Sequence, residues 1–209
     1  MKRFVTSILL AFAATVAFAQ TPEEIVAKMN EVTEAHNSEG LILTLSMKIP
    51  IIGTTSTRVW TLGEKSRMEI VVEGHPVTTW IDNSGNSWVY DEKENKVTID
   101  KVKLSQTTNS ASDNMGKFSN TEGYDLSIEN ETDDAWHILC TKSKTNKHKD
   151  DPKNMNIVVA KGSYLPVSLG AKVSGIEITL KDIAFGVTPE QVSFNINDYP
   201  DATIEDKRK

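Results

Sequence analysis

The hydrophobic period of the chain changes once, at Gly40. Before it, apolar and aromatic side chains recur at the spacing of one helix face: Ile25, Met29, Val32 and His36. The segment Thr21-Pro22-Glu23-Glu24 supplies a hydroxyl cap, a proline at the first helical position and acids in the first turn. These signals predict an amphipathic helix over about residues 22–36 that must lay its stripe on another element.

After Gly40 the period is two, which is typical of strands. Gly and Asn at the breaks, as in Gly63 and Gly85, indicate short hairpin turns and therefore antiparallel pairing. About eleven strands are predicted in a meander, near 41–48, 56–62, 66–73, 77–82, 86–91, 96–102, 123–130, 135–142, 154–161, 164–173 and 175–184. Thr188-Pro189-Glu190-Gln191 predicts a short helical turn, and Phe194-Asn195-Ile196 is expected to close the sheet.

The fold class predicted from this pattern is mainly β: one curled antiparallel sheet whose concave face a helix partly covers. Two segments lie outside the alternation. Residues 105–120 are rich in Ser, Thr and Asn and are expected to form a mobile loop with one helical turn. Residues 142–154 carry a run of lysines and are expected to form a solvated hairpin tip.

The N-terminus has the three parts of an export signal. Lys2 and Arg3 precede an apolar run over 4–18, and Ala17 and Ala19 are the small residues that a signal peptidase requires. The alternative, a membrane anchor, needs roughly 20 apolar residues. We expect residues 1–20 to be a cleaved signal and 21–209 to form a single exported domain.

Charge and composition exclude several classes of function. Loss of Lys2 and Arg3 takes the formal net charge from −6 to −8, which argues against nucleic acid and against electrostatic docking on anionic lipid. The single cysteine, Cys140, forms no internal disulfide and is expected to be a buried, inert thiol in a strand. His-Glu-x-x-His, a nucleophile elbow and a glycine-rich phosphate loop are absent from the sequence, so no catalytic residues, metal or cofactor are predicted.

Apolar and aromatic side chains alternate with polar ones in consecutive strands. For any one of them ordinary core packing is the alternative, but together they indicate an apolar ligand cavity inside a curled sheet. The candidate lining of this cavity is Leu43, Leu45, Met47, Trp60, Met68, Ile70, Trp80, Trp88 and Tyr90. The candidate lid residues, from the helix, are Ile25, Met29 and Val32.

The central hairpins resemble a known family. Arg67-Met68-Glu69-Ile70, then Trp80-Ile81-Asp82 and Trp88-Val89-Tyr90-Asp91, are similar in type and order to the hairpins of the LolA-like periplasmic lipoprotein carriers. The C-terminal stretch from Phe194-Asn195-Ile196 to Lys209 resembles the end of the same family, so the likeness covers nearly the whole chain after the signal.

The resemblance implies an unclosed half-barrel of about eleven antiparallel strands with helices as a lid. It implies a chaperone, not an enzyme, that carries lipoproteins from the inner to the outer membrane with their acyl chains in the cavity. The implied partners are the acyl chains, an inner-membrane release complex and an outer-membrane acceptor; no cofactor is implied and a monomer is expected. The chain departs from the family at 61–65, which lacks the Arg-Pro that helps to hold the family's lid shut, and at Ser66, where a phenylalanine stands in those carriers.

An RseB-like envelope module that senses lipid or protein remains the alternative, and a small-molecule hydrolase is a third class. A carrier is expected to co-purify with acyl chains, whereas a sensor is expected to bind a partner protein domain. RseB-like chains carry a second domain, so the length after the signal, about 190 residues, favours the carrier.

Overall fold

The structure, a computed structural model, describes residues 20–104, 115–116 and 119–208. Residues 1–19 and most of 105–118 lie outside the described part, so the predicted signal and much of the predicted loop are not among the described elements. Within the described ranges, helix α1 (Pro22–Ala35) and a 3₁₀ turn at Asn37–Glu39 come first, and strands follow. The strands are β1 (Leu41–Ile49), β2 (Gly53–Leu62), β3 (Lys65–Val72), β4 (His75–Ile81), β5 (Asn86–Asp91), β6 (Lys96–Lys101), β7 (Tyr124–Glu131), β8 (Ala135–Lys142), β9 (Asn154–Ala160), β10 (Pro166–Val173), β11 (Ile176–Phe185) and β12 (Thr203–Asp206).

Helix α1 confirms the predicted helix within a residue at its C-terminus. The Thr21 hydroxyl accepts a hydrogen bond from the backbone N–H of Glu24 at 3.2 Å, and the Glu24 carboxylate accepts one from the Thr21 N–H at 2.9 Å. This reciprocal pair is a capping box and satisfies two of the free donors at the helix start. Ile25, Val26 and Met29 are buried and attach the helix to the sheet.

The strands form one unclosed, twelve-stranded sheet in which the order is β12-β6-β5-β4-β3-β2-β1-β11-β10-β9-β8-β7. The ten hairpin or neighbouring pairs within β1–β11 are antiparallel. The mainly β class, the unclosed sheet and the antiparallel pairing are therefore confirmed. One detail was wrong: Phe194-Asn195-Ile196 is not a strand, and the sheet ends instead at β12, which pairs parallel to β6.

We call the sheet face against which α1 packs the inner face and the opposite face the outer face. The main core lies on the inner face, where the helix residues Ile25, Val26 and Met29 meet side chains from β1, β2 and β8–β11. The fully buried members from these strands include Leu43, Ile138, Met155, Ile157, Leu169 and Leu180. This half of the sheet, from β1 to β8, supplies most of the buried apolar area that stabilises the fold.

A smaller cluster covers the outer face near the start of β1. Trp60, Val187 and Val192 are buried together, with Ile42 and Leu62 packed against them. Val192 belongs to the 3₁₀ turn Pro189–Val192, which confirms the short helical turn predicted from Thr188 to Gln191. The C-terminal segment after β11 thus passes over the outer face before it returns as β12.

The junction between α1 and β1 requires glycine. Gly40 has a φ of +78°, and a Cβ there would stand 2.6 Å from the carbonyl oxygen of Thr61 and 2.7 Å from Cβ of Val187. Both the backbone conformation and the space therefore exclude a side chain. This is also the residue at which the hydrophobic period of the sequence changes.

Cys140 is fully buried in β8 and is free. It lies opposite Met155 of β9 and Leu126 of β7, within the apolar inner face. Burial raises the pKa of its thiol to about 11. The predicted buried, unreactive thiol is therefore confirmed in its placement and its environment.

Candidate functional site

The predicted cavity lining is divided between the two faces of the sheet. Directly opposite residues of an antiparallel pair share a face, and Leu43 lies opposite Val59, whereas Trp60 lies opposite Ile42 and Arg67. The aromatic members on the outer face are Trp60, Trp80, Trp88 and Tyr90. The aliphatic members on the inner face are Leu43, Leu45, Met47, Met68 and Ile70. The expectation that all nine line one surface is corrected: turn lengths set the register, and the register places the two groups on opposite sides.

The inner-face members, apart from Leu43, form a half-buried apolar strip that we call the inner strip. It comprises Leu45, Met47, Met68, Ile70, Val77 and Ile178. The register makes them neighbours: Met47 lies opposite Ile178, and Ile70 lies opposite Val77. Thr57 and Thr79 lie opposite Ile70 and Met68 and interrupt the apolar surface with hydroxyl groups.

Val77 and Ile178 were not singled out from the sequence. Each belongs to a predicted alternating segment, so the signal was present in the pattern. What the pattern lacked was the pairing, since alternation gives two possible faces for every strand.

Helix α1 covers a different part of the inner face. Its closest strand neighbours are β7 and β9, on the far side of β1 from β3 and β4. Of the three predicted lid residues, Ile25 and Met29 are fully buried in the main core and Val32 is half-buried. Among the described elements, the helix therefore covers the β7–β9 half, and the β3–β4 half carries the inner strip.

One pair of ionisable groups lies at the end of the inner strip. Nε2 of His75 is 3.5 Å from Oδ1 of Asp91, and both residues belong to the inner face beside Val77. The backbone N–H of Glu94 donates to the Asp91 carboxylate and lowers its pKa, and His75 lowers it further. The strip thus ends in a polar pair, while its centre is aliphatic.

A cavity of about 570 Å³ opens near the C-terminal half of α1 and the first residues of β1. Leu41, Met115 and Phe185 supply its apolar wall, and Asn30, Thr33 and Thr61 are among its polar lining. The Thr33 hydroxyl is buried and finds no hydrogen-bond partner among the described residues. Met115 belongs to the predicted 105–120 loop, and in this way the described part of that loop approaches the helix.

The four outer-face aromatics pack against the C-terminal segment. Phe194 stacks on Trp88 with a centroid distance of 5.6 Å and meets the edge of Trp80 at 5.4 Å. The ring centroid of Tyr199 lies 4.4 Å from that of Tyr90 and 5.7 Å from that of Phe194. These side chains form a packed aromatic layer, and Phe194 and Tyr199 are the covering residues that the sequence reasoning did not assign to it.

Arg67 lies within this outer layer. Its Cζ is 4.9 Å from the ring centroid of Trp60 and 5.6 Å from that of Trp80, and its guanidinium pairs with Glu69. Nε of Arg67 is buried with no hydrogen-bond partner among the described residues. Arg67 is the arginine nearest to residues 61–65, where the family's Arg-Pro is missing. It packs on the outer face and does not reach the lid residues of α1.

Among the described residues, no three His, Cys, Asp or Glu side chains are grouped so that they could hold a metal ion. Within the same ranges, no helix is long and apolar enough to cross a membrane. The inner strip offers apolar surface interrupted by the hydroxyl groups of Thr57 and Thr79, with the His75–Asp91 pair at its end.

No family model matches the chain, and no curated protein matches it. Among solved structures, lipoprotein LppX of Mycobacterium tuberculosis is 10% identical, with 80% of this chain and 98% of that chain covered and a TM-score of 0.50. A LolA superfamily protein of Nitrosomonas europaea is 12% identical over 86% of this chain and 100% of that chain, with a TM-score of 0.34. MucB in complex with MucA is 8% identical over 83% of this chain and 59% of that chain, with a TM-score of 0.44.

The likeness to LppX shows a shared fold, and the low identity limits it to the fold. This shared fold agrees with the architecture expected from the hairpin motifs. The Trp and Tyr residues of the hairpin motifs form the outer aromatic layer.

Proposed function

We propose that the chain is a periplasmic lipid-binding chaperone that carries lipoproteins from the inner to the outer membrane. The observation that carries the proposal is the inner strip: its aliphatic side chains lie side by side on one sheet face and are half-buried, whereas Leu43, Leu169 and Leu180 on the same face are fully buried. An acyl chain laid along Met47, Met68 and Ile70 would remove this surface from water.

Acyl chains suit such a strip because each buried methylene is worth about 0.8 kcal/mol. The centre of the strip has hydroxyl groups from Thr57 and Thr79, and no charged side chain lies opposite Met47, Met68 or Ile70. The nearest charged residue in the register is Asp91, opposite Val77 at the end of the strip. A surface without fixed charges binds by apolar area alone, which is suited to a carrier that must also release its cargo.

The proposal assigns residues 1–20 to a cleaved signal and 21–209 to one carrier domain. The acyl chains of lipoproteins are the ligand, and an inner-membrane release complex and an outer-membrane acceptor are the partners, as the family resemblance implies. The chaperone acts as a monomer, without a cofactor and without covalent chemistry. The lid residues Ile25, Met29 and Val32 hold α1 in place over the β7–β9 half of the sheet.

The first test is mass spectrometry of the protein isolated from the periplasm under native conditions, with the extracted lipids identified. A carrier is expected to retain lipoprotein or acyl chains. A fluorescent fatty acid then gives the stoichiometry and Kd of the purified, delipidated protein. If neither bound lipid nor saturable fatty-acid binding is found, and a protein domain of the envelope is retained instead, the sensor class replaces the carrier.

A further inference from the structure

Several hairpin turns lie at the same end of the sheet, which we call the lower edge. It contains the β1–β2 turn (49–53), the β3–β4 turn (72–75), the β10–β11 turn (173–176) and the β8–β9 loop (143–153). The register places them together: Lys48 lies opposite both Thr54 and Glu177, and Lys172 also lies opposite Glu177. The junction of α1 and β1 lies at the opposite end of the sheet.

Exposed aliphatic side chains are concentrated at this edge. Ile51 is fully exposed, at 107% of its reference area, and Ile52 is 74% exposed. On the next hairpin at the same edge, Val71 is 66% and Val72 is 41% exposed. These four are more than half of the seven large apolar residues that are exposed in the described part of the chain. Isolated exposed aliphatics are ordinary, but a concentration at one edge marks an interaction site.

The turn that presents Ile51 is not relaxed. Ile51 has a φ of +74°, a conformation that a β-branched residue adopts at a cost. Gly53, two residues later, has a φ of +107° and no atoms near its missing Cβ. For folding alone, glycine would suit position 51 better than isoleucine.

One loop of the lower edge has a net charge opposite to that of the chain. The loop 143–153 contains four lysines and two aspartates, which gives it a net charge of +2, whereas the whole chain has −6. Lys144, Lys149 and Lys153 are exposed, as is Lys48 beside the isoleucine tip. A groove of about 590 Å³ between this loop and the β10–β11 turn is lined by Lys149, Lys153 and Lys172, together with Asp150 and Asp151.

We propose that the lower edge docks on the surface of a bilayer that contains anionic phospholipids. Ile51 and Ile52 enter the interface between headgroups, and the lysines of 143–153 contact the phosphates, which attract basic segments near the surface. The negative net charge of the chain does not oppose this contact, because screening confines the interaction to charges within about 8 Å. This orientation brings the end of the inner strip that holds Met47 and Ile70 towards the membrane, but the docking does not depend on the proposed carrier function.

The test is flotation with two kinds of vesicle. One contains phosphatidylcholine alone, and in the other about one lipid in three is the anionic phosphatidylglycerol. The protein for this assay is purified after export, and its intact mass is measured to verify that the apolar run 4–18 has been removed. This control is needed because that run would bind vesicles by itself. We expect binding to the anionic vesicles that weakens as salt is raised. The double variant Ile51→Gly/Ile52→Ser is expected to lose about ten-fold or more in affinity.

Ile51→Gly relieves the strained φ, so this double variant is expected to melt at the same temperature as the wild type or above it. Its loss of binding cannot then be attributed to unfolding. Val167→Ser is the matched control, since Val167 is 45% exposed on β10 near the opposite end of the sheet, and it should bind as the wild type does.

The lysine contribution has its own pair of variants. Lys144→Gln/Lys149→Gln/Lys153→Gln is expected to lower affinity for anionic vesicles by about ten-fold or more, because each lost lysine weakens the attraction to the lipid phosphates. Lys28→Gln/Lys65→Gln/Lys101→Gln removes the same charge from other parts of the molecule and should change little. Absence of vesicle binding, or full binding by the Ile51→Gly/Ile52→Ser variant, would overturn the proposal, and neither result would affect fatty-acid binding by the inner strip.

Discussion

Cζ of Arg67 lies 4.9 Å from the ring centroid of Trp60, on the outer face, while the next residue, Met68, belongs to the inner strip on the opposite face. A cation over an indole ring is worth about 0.5–2 kcal/mol, and Arg67 contacts two such rings. Arg67→Met also leaves Glu69 without its partner. We expect this variant to lower the free energy of unfolding by about 1–2 kcal/mol, as measured by denaturant titration.

Arg58→Met is the matched control for that prediction. Cζ of Arg58 lies 5.2 Å from the Trp60 centroid, but Arg58 is exposed, so its loss should cost about 0.5 kcal/mol. Fatty-acid binding should be unchanged in both variants, because both side chains face away from the inner strip. Equal free energies of unfolding for Arg67→Met and the wild type would contradict the stabilising role of the Arg67–Trp60 contact.

A charge within the inner strip should abolish acyl-chain binding. Ile70→Glu and Met68→Glu each place a carboxylate where an acyl chain would lie, and a carboxylate without a partner is costly to bury. Val71→Glu is the control, because Val71 is adjacent in β3, faces the other side and is 66% exposed. The measurement is a fluorescent fatty-acid titration beside a thermal melt. A folded Ile70→Glu protein that binds as well as the wild type would remove Ile70 from the site.

The outer aromatic layer should hold the C-terminal segment to the sheet. Phe194 contacts Trp80, Trp88 and Tyr199, and we expect Phe194→Ala to cost about 3 kcal/mol. Limited proteolysis should then cut the segment after Val187 in the variant before it cuts the wild type. Ile196→Ala, in which the lost side chain is already 45% exposed, should behave as the wild type does. Equal protection in both variants would show that β12 pairing alone retains the segment.

The Cys140 thiol should make stability depend on pH in the alkaline range. Burial raises its pKa to about 11 in the folded protein, so the folded state keeps the proton at pH values where the unfolded thiol has lost it. The contribution is therefore fully present at neutral pH and is lost as the pH rises from about 9 to about 11. Denaturant titrations at several pH values should show a steeper decline for the wild type than for Cys140→Ala, which has no thiol. The native protein should also resist thiol reagents until it is unfolded.

Much of the fold could be predicted from the sequence. The capping residues of Thr21–Glu24 and the stripe of Ile25 and Met29 located α1, and the alternating runs located eleven of the twelve strands within a few residues at most boundaries. Local chemistry decides these elements, because a cap, a turn glycine and a hydrophobic period act on neighbouring residues. β12 was missed because Thr203–Asp206 is short and fully exposed, and it carries no alternation of buried and exposed positions.

The candidate site could be predicted only in part. Each residue of the nine-membered lining was placed on a strand, but the faces of neighbouring strands were combined incorrectly. Trp60 lies opposite Arg67, and Trp80 lies opposite both Arg67 and Trp88, so the aromatics share the outer face with a cation. The aliphatics Met68 and Ile70, one position away in the same strand, face the other side.

The sequence by itself determined the helix, the strands, their antiparallel connection and the buried thiol, because each depends on the periodicity and turn chemistry of short segments. Only the tertiary structure decided which alternating set faces α1, what covers the aromatic face, and that the exposed isoleucines and the lysine loop lie at the same end of the sheet. These depend on strand register, in which a shift of one residue exchanges the two faces of a strand. The register consists of pairings between residues on different strands, and a single-sequence pattern does not contain those pairings.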